Sequence, residues 1–166
     1  MFKGDFMKKT ILIASVLALF ITGCSDKTKS ATSKFIKVFP SNRDLNGSKD
    51  AIVKNLSSKN YKLITSYNHE KDALALKQML YPTATIELNN PKISTKLISC
   101  NPTIALDLPI RIAIYNDIKG NTYISYTDPE YWSLKHNIKD ATCINLVLAI
   151  KQDLQEAVNY ITKKSK

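Results

Sequence analysis

The 166-residue chain is poor in the residues that usually announce a reaction. It has 4 glycines, and Gly4, Gly23, Gly47 and Gly120 stand too far apart to make a phosphate-cradling loop. It has 2 histidines, His69 and His136, too few and too distant for a paired-histidine zinc motif, so no metal site is expected. Its 3 cysteines, Cys24, Cys100 and Cys143, include no Cys-x-x-Cys spacing, which argues against dithiol redox catalysis. The apolar run Ile11–Ile21 falls short of the roughly 20 residues a bilayer-spanning helix needs. Arginine is nearly missing: Arg43 and Arg111 are the only two among 24 basic residues. The formal net charge of +10 is therefore carried by lysine, scattered except at Lys163, Lys164 and Lys166. Such a surface is a solvated one. Nucleic acid is not an expected partner, and contact with an anionic membrane surface is the better use of the charge. No cofactor is expected.

What is present begins with a leader. Lys8 and Lys9 precede the apolar run, and small residues follow it, the order of a secretory signal peptide. Met7 heads a compact version of that signal, so translation starts at either Met1 or Met7. The segment Ile21-Thr22-Gly23-Cys24 resembles the lipobox of bacterial lipoproteins. The resemblance implies cleavage after Gly23 and a diacylglyceryl group on the Cys24 sulfur. Each buried methylene contributes about 0.8 kcal/mol, so two or three acyl chains anchor where one does not. Residues 1–23 are thus read as a signal peptide, and 24–34 as the lipidated cysteine with a flexible tether lacking large apolar residues. Ser25 after the cysteine implies, in a Gram-negative cell, an outer-membrane anchor facing the periplasm. The expected address is the cell envelope.

Residues 35–166 suffice for one domain. Alternating or β-branched segments predict strands at 35–39, 61–67, 83–88, 110–115 and 122–126. A helix capped by Ser48 is expected after the first strand. A second is expected over 69–80, with Ala73, Leu76, Met79 and Leu80 turned inward. Asn90 followed by Pro91 reads as the start of a third, running to about Ile98. A short helix capped by Asp128 precedes a long one over about 142–163, whose Val147, Ile150, Leu154, Val158 and Ile161 recur at helical spacing. The expectation is an α+β fold: a single two-layer domain with about five strands and helices on one face. In an exported chain, Cys100 and Cys143 are candidates for a disulfide, two buried free thiols being the alternative.

Four segments resemble a known family, domain of unknown function 302. They are His69 to Ala73, Asn90-Pro91-Lys92 with Thr95 and Leu97, Ala105-Leu106-Asp107-Leu108-Pro109, and Ile124-Ser125-Tyr126 with Pro129, followed by Tyr131 and His136. Two family glycines are replaced by Asn89 and Ser94. The resemblance implies a compact α+β fold, often dimeric, and supplies no reaction. His69, Asn90, Thr95, Asp107 and Arg111 are the candidate ligand residues, with the free N–H groups after Asn90 suited to an anion. The leading expectation is a lipid-anchored domain that binds a small ligand, an envelope protein or a second copy of itself. The other is a small-molecule enzyme with His69 as general acid or base and Asp107 orienting it.

Overall fold

The computed structural model describes residues 33–162. The segments read as signal peptide, lipobox and most of the tether lie outside the described residues. The elements run β1 (Ile36–Pro40), α1 (Leu45–Ser57), β2 (Lys62–Asn68), α2 (His69–Ala75), β3 (Thr83–Asn89) and α3 (Pro91–Cys100). After a 3-10 turn (Pro102–Leu106) come β4 (Ile110–Asn116), β5 (Thr122–Thr127), α4 (Glu130–Lys135) and α5 (Ala141–Thr162). The five strands form one antiparallel sheet in the order β1-β5-β4-β3-β2.

The alternation of β3, β4 and β5 decides which face is covered. Ala84, Ile86, Leu88, Ile110, Ile112, Ile114, Ile124 and Tyr126 are buried and share one face. Helices α1, α3 and α5 lie over that face, and the α5 positions Val147, Ile150, Leu154, Val158 and Ile161 are all buried there. The opposite face carries Thr85, Glu87, Arg111, Ala113, Ser125 and the stacked pair Tyr115–Tyr123.

Three local readings are corrected. Helix α1 is capped by Asp44, whose carboxylate accepts the Gly47 N–H at 2.7 Å. Any side chain at Gly47 would meet that carboxylate at 2.9 Å, so the glycine permits the cap. Ser48 is instead fully buried in the first turn, sharing a hydrogen bond with Ser41 at 2.7 Å.

Helix α2 ends at Ala75 rather than at 80. Lys77 adopts a left-handed φ of 57°, and the N–H groups of Lys77 and Gln78 return to the carbonyls of Leu74 and Ala73. This is a Schellman stop made by a lysine in place of the usual glycine. Leu76, Met79 and Leu80 are consequently exposed, Met79 at 99%.

Asn90 does precede α3, but its side chain makes no cap bond. Its Nδ2 donates to the Lys59 carbonyl at 3.3 Å, and backbone geometry with Pro91 starts the helix. The end of α3 is tied to the first turn of α5 by a disulfide between Cys100 and Cys143, their Cα atoms 6.6 Å apart.

Candidate ligand site

A connected polar network lies where the 3-10 turn and β4 meet α4. Asp107 ends the 3-10 turn. Its Oδ2 lies 2.5 Å from His136 Nε2, and both of its oxygens accept from Lys135 Nζ at 2.9 and 3.0 Å. His136 is buried (4%), at the C-cap of α4. Its Nδ1 lies 2.9 Å from Thr103 Oγ1, and its backbone carbonyl accepts from Asn101 Nδ2 at 2.6 Å. Asn101 Oδ1 in turn accepts both the N–H and the hydroxyl of Thr103. The sequence accounts for this locally. Asn101-Pro102 breaks α3, and Asn101 then caps the next turn, which leaves its amide NH₂ to clamp α4.

Burial pushes the Asp107 carboxyl up, but hydrogen bonds from His136 and Lys135 outweigh it. The net result holds Asp107 below the usual carboxylate range. An ionised Asp107 can only accept, so His136 Nε2 carries the proton between them.

Beside Asp107 is a cavity of about 70 Å³, lined by Leu106, Asp107, Ile110, Arg111, Thr127 and Trp132. Arg111 gives its Nε–H to Glu87 at 3.2 Å and its side chain is otherwise 61% exposed. Trp132 is buried, and its indole Nε1 is a buried donor without a partner among the described residues.

Two of the five expected ligand residues, Asp107 and Arg111, thus line one cavity. The other three stand elsewhere. His69 is on the opposite sheet face, its Nε2 2.9 Å from Thr85 Oγ1 and its ring edge-on to Tyr67. Asn90 packs into a closed crevice with Tyr61, Leu108 and Ile150, and Thr95 is exposed on α3. The expected pairing of His69 with Asp107 does not form: His69 lies against Thr85 and Tyr67, while Asp107 is held by His136 and Lys135. The sequence reading missed Asn101, Thr103 and the role of His136. The only signal for His136 was its place at the end of the family resemblance, since a separation of 29 residues from Asp107 carries no periodicity.

Comparison with known proteins now places the chain. The family model described as "Domain of unknown function DUF302" matches residues 38–161. The chain belongs to the DUF302 family. The crystal structure of an uncharacterized conserved DUF302 protein from Bacillus stearothermophilus superposes with a TM-score of 0.70 at 15% identity, covering 78% of this chain and 99% of that one. At that identity the likeness concerns the fold. Among curated proteins, the fluoride-specific ion channels FluC 1 of Brucella suis and FluC 1 of Brucella abortus are each 32% identical over 76 residues. The match covers 46% of this DUF302 chain and 30% and 28% of those proteins, so the chain corresponds to less than a third of their length.

Proposed function

We propose that this DUF302 chain is a lipid-anchored cell-envelope protein whose folded domain binds a small organic acid or comparable anion in the Asp107–Arg111–Trp132 cavity. The anchor rests on the leader and on the Ile21-Thr22-Gly23-Cys24 segment. The ligand reading is carried by a locked carboxylate, an arginine and the Trp132 side chain lining one small cavity.

Size sets the ligand class. The cavity has less than half of the ~150 Å³ that accommodates a benzene ring, so it takes a group of roughly three to five non-hydrogen atoms. A carboxylate pairs with Arg111, and a neighbouring hydroxyl or amine can donate to Asp107. Lys135 offsets the Asp107 charge, which lowers the main obstacle to an anion. The domain acts here by holding the ligand.

Trp132 is the chain's only tryptophan, so its fluorescence reports directly from the cavity wall. The full chain carrying Cys24→Ser is titrated with acetate, glycolate, glycine, phosphate and fluoride. Fluoride is included because the Brucella relatives are named as fluoride-specific channels. Saturable change with at least one organic acid, weakened at least tenfold by Arg111→Gln, supports the reading. A flat response to the whole series refutes it.

A protein-interaction role for the same anchored domain has a separate basis. Leu74, Leu76, Met79, Leu80 and Tyr81 are all exposed along one short segment. A second copy of the chain is the first occupant to test, by cross-linking through Met79→Cys.

A further inference from the structure

Away from the cavity, the side chains of Cys100, Asp140 and Cys143 form a cluster. One ligand atom from each, both sulfurs and a carboxylate oxygen, lies within 4.8 Å of the other two. The two sulfurs are bonded to each other as a disulfide. Asp140 is exposed, Cys100 is half-buried and Cys143 is buried, so the cluster opens to solvent on its Asp140 side. The Asp140 carboxylate is already oriented, because its Oδ1 accepts the Cys143 N–H at 3.0 Å while capping α5. Its other oxygen makes no hydrogen bond among the described residues.

We propose that reduction of the Cys100–Cys143 disulfide converts this staple into a zinc site, with Cys100 and Cys143 as thiolate ligands and Asp140 as the third. The step is balanced. A dithiol reductant supplies two electrons and two protons, the disulfide becomes two thiols, and binding of one Zn²⁺ releases those two protons.

Geometry permits the exchange without rebuilding the fold. A tetrahedral zinc ion with sulfurs at about 2.3 Å sets the two sulfurs roughly 3.8 Å apart. The Cα separation of 6.6 Å lies near the wide end of the range that disulfides span, about 4.4–6.8 Å. The backbones are thus already far enough apart for the sulfurs to part by side-chain rotation. Two soft thiolates and one carboxylate suit zinc better than calcium or magnesium, which take oxygen-only shells. Three protein ligands leave the fourth position to water, in keeping with the solvent-facing side.

Two chain segments leave this cluster and meet again at Asp107. Asn101 and Thr103 follow Cys100, and His136 precedes Asp140, so the clamp at 100–143 secures both halves of the network around His136. Zinc would keep the two segments joined when the disulfide is open.

The test uses the full chain with Cys24→Ser, so that Cys100 and Cys143 are the only cysteines. Co²⁺ and Zn²⁺ are added to oxidised chain and to chain reduced with a phosphine that is then removed. The proposal expects one equivalent of Co²⁺ on the reduced chain, with thiolate-to-cobalt charge-transfer absorption, displaced by Zn²⁺, and no such band on the oxidised chain. Zinc should also restore most of the melting temperature lost on reduction. Asp140→Asn leaves both cysteines in place and should weaken zinc affinity by about ten- to a hundredfold. Absence of the band, equal binding by the oxidised chain, or an Asp140→Asn affinity matching the parent each overturns the assignment. The last outcome would mean that a loosened cysteine pair binds metal without the folded site. None of these readings depends on the small-acid cavity or on lipidation.

Discussion

His136→Ala should be among the costliest single substitutions outside the apolar core. The side chain makes two bonds: one to the ionised Asp107 and one to Thr103. A bond to a charged group contributes about 1.5–3 kcal/mol and a neutral one about 0.5–1.5. Water cannot easily replace them, since the His136 and Asp107 side chains are 3% and 14% exposed. Lys135 stays on Asp107 in the variant, which spares the carboxylate from complete isolation. The expected loss is therefore about 3 kcal/mol, a large fraction of the 5–15 kcal/mol typical of a domain. Equilibrium urea unfolding, followed by Trp132 fluorescence one turn away on the same helix, measures it. Asp107→Asn alone should cost about 2 kcal/mol, and the double variant less than the sum by about 1–2 kcal/mol, because the two residues share one bond. An His136→Ala midpoint within 0.5 kcal/mol of the parent, or strict additivity in the cycle, would show that the network is ornamental and that Asp107 is positioned by something else.

Four further outcomes follow from named contacts. Opening the Cys100–Cys143 bond with Cys100→Ala/Cys143→Ala should lower stability by about 4 kcal/mol at most, the chain-entropy value for a 43-residue separation, measured in urea without metal. Alkaline stability should fall as pH rises from about 10 towards 12. Burial first, and then Asp128, push the Tyr126 hydroxyl up to about 12, so its contribution is complete below the ordinary phenol pKa and is lost as pH climbs through the folded value. Unfolding midpoints at pH 8, 10 and 12 check this, and Tyr126→Phe should flatten the decline. Met79→Ser should leave the urea midpoint unchanged within about 0.5 kcal/mol, because the side chain is 99% exposed. Cys24→Ser should move the protein from the membrane to the soluble fraction or leave an uncleaved precursor, and labelled palmitate should mark the parent alone. A parent without label refutes the anchor.

The sheet and the long helix were legible because each carries a repeated signal. Alternation in Thr83–Asn89, Ile110–Asn116 and Thr122–Thr127 and the apolar spacing of α5 are patterns of many residues, and a single misjudged residue does not erase them. Helix α2 was misread for the opposite reason. The stretch Leu74–Leu80 has apolar residues at near-helical spacing, but one residue, Lys77, adopts φ 57° and ends the helix. Lysine gives no warning of a left-handed conformation, where glycine would have. Tertiary context also reversed the burial: β2 is an edge strand with every residue exposed, and among the described residues the helix that follows it packs mainly on the β3 side of the sheet.

The candidate site was half legible on the same logic. Asp107 and Arg111 lie four residues apart across Pro109 and were found together, since a turn into a strand keeps both at one end of the sheet. His136 and Trp132 come from an element two steps later, brought beside Asp107 by the β4–β5 hairpin and the turn into α4. That closeness is a property of topology, which no local spacing encodes. The same holds for Asp140 beside Cys100. The pairing of Cys100 with Cys143 could be raised from cysteine arithmetic. The carboxylate oriented on them by the α5 cap becomes visible only once both helix ends stand next to each other. An α5 start moved by one residue would turn that carboxylate away. Asp140→Asn keeps the cap and the helix start while removing the charged ligand oxygen, so it reads metal affinity with the registration unchanged.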